Sequence, residues 1–220
     1  MSGDSPDAQF TRLIAVRHGE TAWNVDTRVQ GQLDIGLNEV GRRQSVRLAQ
    51  ALVDEQLEAL YASDLGRARD TALAVASLTG LPLQLDPRLR ERAFGRFEGM
   101  TYAEIEQRFP DESRRWRQRD PDFAPEGGGE ALAAFQARAV AAVAAIACRH
   151  RGRHVAVITH GGVLDALYRA AARVALDAPR TWHLGNAGIN RLLHGEAGFT
   201  LVGWGDTGHL QGTSLEEGAA

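Results

Sequence analysis

Two continuous apolar runs stand out in the pattern of hydrophobic and polar positions. They are Leu13-Ile14-Ala15-Val16 and Val155-Ala156-Val157-Ile158. Apolar runs without alternation are typical of strands buried on both faces of a parallel sheet. Two shorter segments, 59–62 and 83–85, also predict strands, and 189–193 with 199–202 predicts a terminal hairpin around Gly195 to Gly198.

Helical spacing fills most of the chain between these strands. Asn38 can cap a helix that includes Leu48 and Leu52, and Ser63 or Asp64 is expected to cap a second helix that ends before Gly80. The longest periodic stripe runs from Glu130 to Arg149, and a last helix spans 163–172 after two glycines. Alternating strands and helices predict a three-layer α/β/α fold with a mostly parallel central sheet.

The remaining segments set the expected domain organisation. Residues 87–129 are richer in charge, Pro and Gly, and they predict a small helical insertion over the site. Residues 1–10 and 209–220 are polar and aperiodic, so we expect mobile tails on a single domain that spans 11–208.

Both long apolar runs deliver polar residues at their ends, Arg17-His18 and Thr159-His160. Ligands in open α/β sheets bind at the carboxyl ends of strands, so these residues are candidates for one site. Neutral imidazole is nucleophilic near pH 7 when a backbone carbonyl fixes its second nitrogen. A lone histidine of this kind is more often a buried residue bonded to main chain, and the neighbouring arginine changes that balance.

Composition excludes several classes of function. An apolar fraction of 44% and a charged fraction of 24% are typical of a globular chain, and no apolar run approaches a membrane span. The net charge of -3 provides no global basic field, so we expect neither nucleic acid nor a membrane as a partner. The N-terminus lacks the features of a signal peptide, which predicts a cytoplasmic location.

All 25 basic residues are arginines. The absence of lysine excludes the Walker phosphate loop and Schiff-base chemistry, whereas arginine holds phosphate through a planar fork of donors. The single cysteine, Cys148, excludes an internal disulfide or a cysteine-based zinc cluster. Four arginines of the insertion, 114, 115, 117 and 119, predict a solvated cationic face or, alternatively, a surface that attracts acidic substrates.

Four blocks of sequence occur in a characteristic order. They are Arg17-His18-Gly19-Glu20 through Asp34, Ser63-Asp64-Leu65 with Arg67-Ala68 and Thr71-Ala72, Leu89-Arg90-Glu91 with Gly95 and Glu98-Gly99, and Thr159-His160-Gly161-Gly162. Together they resemble the histidine phosphatase superfamily, which is also called the phosphoglycerate mutase-like family. The resemblance spans about residues 12–210 and implies the phosphoglycerate mutase-like fold.

The resemblance also implies roles for single residues. His18 would attack the phosphoryl group and become phosphohistidine, while Arg17, Arg67 and His160 would surround its oxygens without a metal or other cofactor. The other implied phosphate contacts are Asn24, Gln30, Gly31 and Gly161. Glu91 would protonate the leaving group, with Glu20, Glu98 and Glu130 as competitors; Glu130 is expected in the first turn of its helix.

Three functions remain open from the sequence. The resemblance favours a phosphatase acting on a small phosphomonoester, because mutases of the family usually carry an aromatic residue after Gly31 and a lysine after Glu98-Gly99. A cofactor-dependent phosphoglycerate mutase and a non-catalytic phosphate-binding module are the alternatives. Sugar phosphates, phosphoglycerates, nucleotides and ribazole phosphate are all open as substrates, and an edge strand of the sheet could pair two copies into a homodimer.

Overall fold

A six-stranded sheet forms the centre of the computed structural model, which describes residues 9–211. The strand order is β3-β2-β4-β1-β5-β6. The strands are β1 Thr11–Arg17, β2 Ala59–Ala62, β3 Leu83–Leu85, β4 His154–Thr159, β5 Ile189–Gly195 and β6 Gly198–Asp206. Strands β3, β2, β4 and β1 are parallel, and β5 and β6 form the antiparallel hairpin at one edge.

The helices are α1 Ala22–Val25, α2 Glu39–Leu52, α3 Gly66–Thr79, α4 Tyr102–Arg108, α5 Pro110–Arg117, α6 Leu132–Arg149 and α7 Gly161–Ala172. Alternate residues of β1 point to opposite faces of the sheet. Ile14 and Val16 pack in a core with α2 and α3, whereas Leu13 and Ala15 pack with α6 and α7. The predicted three-layer fold with a mostly parallel sheet is therefore confirmed.

The insertion at 87–129 has an apolar cluster of its own. Phe97, Met100, Ile105 and Phe123 are buried there together with Val29, which comes from the loop after α1. Backbone hydrogen bonds from Val29 to Met100 and from Gly99 to Val29 join the two segments. The insertion is therefore fastened to the loop that carries Gln30 and Gly31.

Two predicted helix starts are wrong. The N-cap of α3 is Leu65 rather than Ser63 or Asp64, because the Asp64 carboxylate binds Arg90 and the Ser63 hydroxyl accepts from the Leu65 N–H. Helix α6 begins at Leu132, so Glu130 precedes its first turn and pairs with Arg138 instead. The cap at Asn38 is confirmed by its bond to the Gly41 N–H.

Residues 209 and 210, expected at the start of a tail, lie in a short 3-10 helix that spans Gly208–Leu210, and residue 211 follows it. Most of the expected tails, 1–8 and 212–220, lies outside the described residues. Mobility of the termini stays a prediction.

Helix α6 is the one helix of the described chain that is long and apolar enough, by length and composition alone, to cross a membrane. Its Phe135, Ala139, Val143 and Ile146 are buried in the core against the sheet. This packing is what a core helix of a globular domain requires.

The loop after β1 lies directly against the start of α2. A Cβ atom added to Gly41 would collide with the backbone of Glu20, and one added to Gly19 would lie 2.5 Å from the Gly41 carbonyl oxygen. Only glycine permits two main chains to approach this closely. The contact fixes the position of the segment that follows His18.

We expect Gly41→Ala to lower the free energy of unfolding by about 1–3 kcal/mol, because the added methyl group has rigid backbone as its neighbour. Urea denaturation measures the effect. Gly36→Ala is the matched control, since its Cβ would have no neighbour within 4 Å and we expect a change within about 0.5 kcal/mol. Equal stability of the two variants would contradict the close approach.

Candidate active site

Neighbouring parallel strands bring His18 and His160 together. Arg17 of β1 is in register with Thr159 of β4, and the His18 N–H donates to the Thr159 carbonyl at 2.9 Å. The two imidazole ring centroids are 5.3 Å apart, and both rings are buried. The two strand ends predicted from the apolar runs thus form one site.

The protonation of His18 follows from its partners. Its Nδ1 lies 2.7 Å from the Gly19 carbonyl oxygen, which can only accept, so Nδ1 carries the hydrogen. Nε2 then holds a lone pair and accepts from Arg67 Nε at 3.3 Å. Burial, followed by the charges of Arg67 and Arg17, holds the pKa of His18 well below its ordinary value. His18 is therefore held as a neutral imidazole with its hydrogen on Nδ1 and its lone pair on Nε2.

Two guanidinium groups flank His18, the buried Arg67 and the half-buried Arg17, and no carboxylate within residues 9–211 binds either of them. Arg67, on the first turn of α3, donates to the carbonyls of Leu33 and Gly31 at 2.8 and 2.7 Å. Arg17 donates to the Leu184 carbonyl at 2.6 Å. Burial lowers the pKa of Arg67 to about 10, so the group keeps its charge at neutral pH.

Several buried polar atoms around His18 have no hydrogen-bond partner within residues 9–211. They are Arg17 Nε, Gln30 Oε1 and both ring nitrogens of His160. Burial, with the charges of Arg67, His18 and Arg17 as further causes, holds the pKa of His160 well below its ordinary value. Unpaired buried polar groups are rare because they cost free energy, so their convergence beside two guanidinium groups indicates a site for an anion.

Glu91 lies at the N-terminus of α7. One carboxylate oxygen accepts from the Gly162 N–H at 2.9 Å and the other from the Arg92 N–H at 2.8 Å. In the described chain Glu91 forms no ion pair with Arg88, Arg90 or Arg92. Arg88 and Arg90 bind Asp86 and Asp64, and Arg92 donates to backbone carbonyls. Two backbone donors therefore aim this carboxyl group at the site.

The three competing acids have other partners. Glu20 accepts from Asn38, and Glu130 pairs with Arg138. Glu98 accepts from the N–H groups of Gln32 and Phe94, so it holds loops together. Of the four acids, Glu91 alone lines the cleft described below.

The remaining predicted residues lie around the same point. The Asn24 side-chain oxygen accepts from the Thr21 N–H and from Asn186, which leaves the amide nitrogen to donate. Gly31 has φ +53, and a Cβ there would collide with Glu98. Gly161 begins α7, and a Cβ on it would lie 3.6 Å from Arg17 Nε.

Two supporting residues, Asn186 and Thr71, were not predicted from the sequence. Asn186 donates to the His18 carbonyl at 2.9 Å, and the Thr71 hydroxyl accepts from the Gly19 N–H at 2.9 Å. Thr71 belongs to a block that the resemblance included, but no role was attached to it. Asn186 lies in an irregular loop without periodicity, where only its position between glycines was a signal.

A cleft of about 790 Å³ opens outward from His18. The insertion contributes Phe94, Tyr102 and Trp116 to its wall, and the segment before β5 contributes Arg180 and Trp182. The volume is in the range of pockets for organic ligands much larger than phosphate. The insertion lies over the site, as predicted.

Arg114 and Arg115 do not line this cleft, and each pairs with an aspartate, Asp111 or Asp120. Arg117 and Arg119 line the cleft but pair with Glu106 and Asp165. The alternative that Arg114 and Arg115 attract acidic substrates therefore has no support in the structure. The solvated, internally paired face is the better interpretation.

No group of three or more His, Cys, Asp or Glu side chains within residues 9–211 is arranged to hold a metal ion. The charged groups nearest His18 are arginines, which attract anions directly.

The family model described as histidine phosphatase superfamily (branch 1) matches residues 13–207. The chain belongs to this superfamily. The metal-independent phosphoserine phosphatase of Arabidopsis thaliana is 36% identical over 206 residues, 93% of this chain and 85% of the relative. Phosphoglycerate mutase-like protein 4 of the same plant is 37% identical over 216 residues, with 96% and 92% coverage.

A solved structure of a phosphatase has a similar fold and a similar sequence. Mycobacterial glucosyl-3-phosphoglycerate phosphatase in complex with VO3 has a TM-score of 0.78 at 34% identity, and the match covers 89% of this chain and 99% of that one. The resemblance noted from the sequence is confirmed. This member of the histidine phosphatase superfamily is a hydrolytic phosphatase.

The buried neutral histidines predict a pH-dependent stability. A histidine whose folded pKa is depressed destabilises the folded state as pH falls below its unfolded pKa, about 6.5, because the unfolded chain then binds more protons. We expect the thermal midpoint to fall between pH 7.5 and 5.5, and to fall less in His18→Asn/His160→Asn. Calorimetry at both pH values measures this.

A smaller decrease will remain in the double variant, because burial also lowers the pKa of His154 and His209. An unchanged pH dependence in the double variant would contradict the assignment of His18 and His160 as neutral.

Proposed function

We propose that this phosphatase hydrolyses a small phosphomonoester through a phosphohistidine on His18. The observation that carries the proposal is the unprotonated Nε2 of the buried His18 imidazole, which lies between two guanidinium groups that no carboxylate within residues 9–211 binds. Such a nucleophile needs no proton removed before it attacks phosphorus. A protein that only binds phosphate would not require His18 to carry its hydrogen on Nδ1.

In the first step the Nε2–P bond forms and the bond from phosphorus to the ester oxygen breaks. Arg17, Arg67 and His160 donate to the three phosphoryl oxygens, where the charge is spread. The amide groups of Asn24 and Gln30 and the backbone around Gly31 and Gly161 complete the cradle. A rotation of the Gln30 amide presents its nitrogen to the anion, which the buried Oε1 cannot bind.

Glu91 supplies the proton that the leaving alkoxide requires. Its carboxyl group is held by the N–H groups of Gly162 and Arg92, which place it beside the proposed phosphate position. After the alcohol leaves, the Glu91 carboxylate takes a proton from water as that water attacks phosphorus. The P–N bond breaks, orthophosphate departs and both residues return to their first state.

Water is the proposed acceptor, with phosphoglycerate mutase as the second candidate. The similarity to phosphoglycerate mutase-like protein 4 supports this second candidate. Gln32 follows Gly31 where mutases of the family usually carry an aromatic residue, and it donates to the Glu91 carbonyl at 3.2 Å. The chain therefore lacks the aromatic residue that the resemblance associates with mutases, and this difference favours water as the acceptor.

The substrate is proposed to be a phosphorylated metabolite, and phosphoserine and glucosyl-3-phosphoglycerate are candidates because relatives are named for them. Within residues 9–211, Arg180 is a cleft arginine without an ion pair or a side-chain hydrogen bond, so it can meet a second negative group. Nucleic acid and membrane partners are not proposed. A cytoplasmic location and a homodimer through an edge strand stay predictions.

Rapid quenching at alkaline pH during turnover of p-nitrophenyl phosphate should trap a phosphoenzyme, because phosphohistidine is stable to base and labile to acid. We expect phosphate on His18 by mass spectrometry, turnover that persists with a chelator, and neither label nor activity in His18→Asn. Full activity in His18→Asn would disprove the mechanism, and transfer of the label to phosphoglycerate in preference to water would favour the mutase.

Glu91→Gln should separate substrates by their leaving groups. We expect kcat/KM for an alkyl phosphate to fall about 10²- to 10⁴-fold, since an alkoxide cannot leave unprotonated. The value for p-nitrophenyl phosphate should fall by less than about 10-fold, since nitrophenolate needs little assistance. Steady-state kinetics on both esters measures the split.

Glu20→Gln is the control, because Glu20 lies outside the cleft. It should leave the ratio of the two substrates unchanged. Equal losses on both esters in Glu91→Gln would remove Glu91 from the role of general acid.

A further inference from the structure

The outer wall of the cleft contains a carboxylate one helical turn beyond the phosphate cradle. Asp165 follows Gly161 by four residues on α7, so the two share a helix face about 6 Å apart. Side chains on a helix lean toward its N-terminus, which here is the end at His160. Asp165 lines the cleft and is 7% exposed.

The two oxygens of Asp165 have different surroundings. Oδ2 accepts from Arg119 at 2.7 Å and from Arg169 at 3.0 Å. Oδ1 is buried and has no partner among the residues described. A buried carboxylate oxygen without a donor costs free energy, so a hydrogen-bond donor from a ligand would stabilise this atom.

Trp182 presents the complementary group on the same wall. Its indole Nε1 is buried and has no acceptor among the described residues. The ring stacks on Tyr168 with centroids 3.9 Å apart, and the Arg169 guanidinium lies 4.8 Å from the ring centroid. Asp165 and Trp182 therefore flank the same guanidinium, with one unpaired acceptor and one unpaired donor.

The chemistry of these two atoms selects a ligand group. A hydroxyl can donate, as Asp165 Oδ1 requires, and can accept, as Trp182 Nε1 requires, so hydroxyl groups can satisfy either atom. An ammonium only donates and a carboxylate only accepts, so either would leave one atom unpaired. We propose that Asp165 and Trp182 form a subsite for a hydroxyl of the leaving alcohol, and that the substrates are phosphomonoesters of polyhydroxylated alcohols.

The rest of the cleft fits such an alcohol. Trp23, Phe94, Tyr102 and Trp116 line it together with Phe135. Aromatic faces pack against the C–H groups of a carbon chain while the polar atoms bind its hydroxyls. The cleft volume of about 790 Å³ leaves room for an alcohol of several carbons beyond the phosphate. The proposal rests on the phosphatase function described above.

The test compares sorbitol 6-phosphate with n-hexyl phosphate, which have the same number of carbons and differ in hydroxyls. We expect the wild type to prefer the polyol ester in kcat/KM. Trp182→Phe keeps a six-membered aromatic ring and removes Nε1 together with the rest of the five-membered ring, so it should reduce this preference by about 3- to 10-fold, the value of one hydrogen bond.

Trp204→Phe is the matched control. Trp204 contacts Tyr168 edge-on, but its Nε1 donates to the His183 carbonyl and it does not line the cleft. This variant should leave the preference unchanged. An unchanged preference in Trp182→Phe would overturn the subsite, and so would equal losses in both variants.

A third ester, 6-aminohexyl phosphate, tests the other occupant. If it is preferred over n-hexyl phosphate, and Asp165→Asn but not Trp182→Phe abolishes that preference, the subsite takes an ammonium and the proposal is wrong. Hydrolysis of p-nitrophenyl phosphate by each variant monitors the phosphatase function separately. Loss of the subsite is therefore distinguishable from loss of the catalytic step.

Discussion

The site depends on two positive charges, those of Arg17 and Arg67, that no carboxylate within residues 9–211 binds. Both guanidinium groups are held by backbone carbonyls, which orient them and leave their net charge in place. Burying an unpaired charge is costly, so the surrounding structure must compensate through packing elsewhere. Burial, with these charges as further causes, holds the pKa values of His18 and His160 well below the ordinary value. The two arginines thus contribute both to anion affinity and to the neutral state of the imidazoles.

Sheet topology explains why these groups meet. Strands β1 and β4 are parallel neighbours, so their carboxyl ends lie side by side, and α7 begins where β4 ends. The Gly162 N–H at the N-terminus of α7 binds Glu91, and the neighbouring Gly161 borders the proposed phosphate cradle. The proposed general acid and the proposed nucleophile are therefore positioned by the same crossover.

The sequence was sufficient for the strands, the family and the members of the site, because two-sided burial leaves continuous apolar runs and the chemical residues follow them directly. It was insufficient where a side chain had several partners within reach. Asp64 could have capped α3 but binds Arg90, and Glu130 could have joined the first turn of α6 but binds Arg138. Asn186 and Trp182 come from an irregular segment, whose position is set by tertiary contacts and leaves no periodic signal.

The insertion has an apolar cluster that is separate from the two core layers of the sheet, so its sequence can diversify independently of theirs. Phe97, Ile105 and Phe123 pack among themselves and not into either core layer of the sheet, so the insertion can be rebuilt without repacking the scaffold. Parts of it are nevertheless tied to the scaffold: Arg138 of α6 donates to the carbonyls of Arg88 and Arg90, and Arg119 donates to Asp165 of α7. The natural boundary for exchanging this module between relatives therefore falls after Glu91, where a graft would replace the insertion's share of the cleft wall and leave Glu91, Asp165 and Trp182 in place.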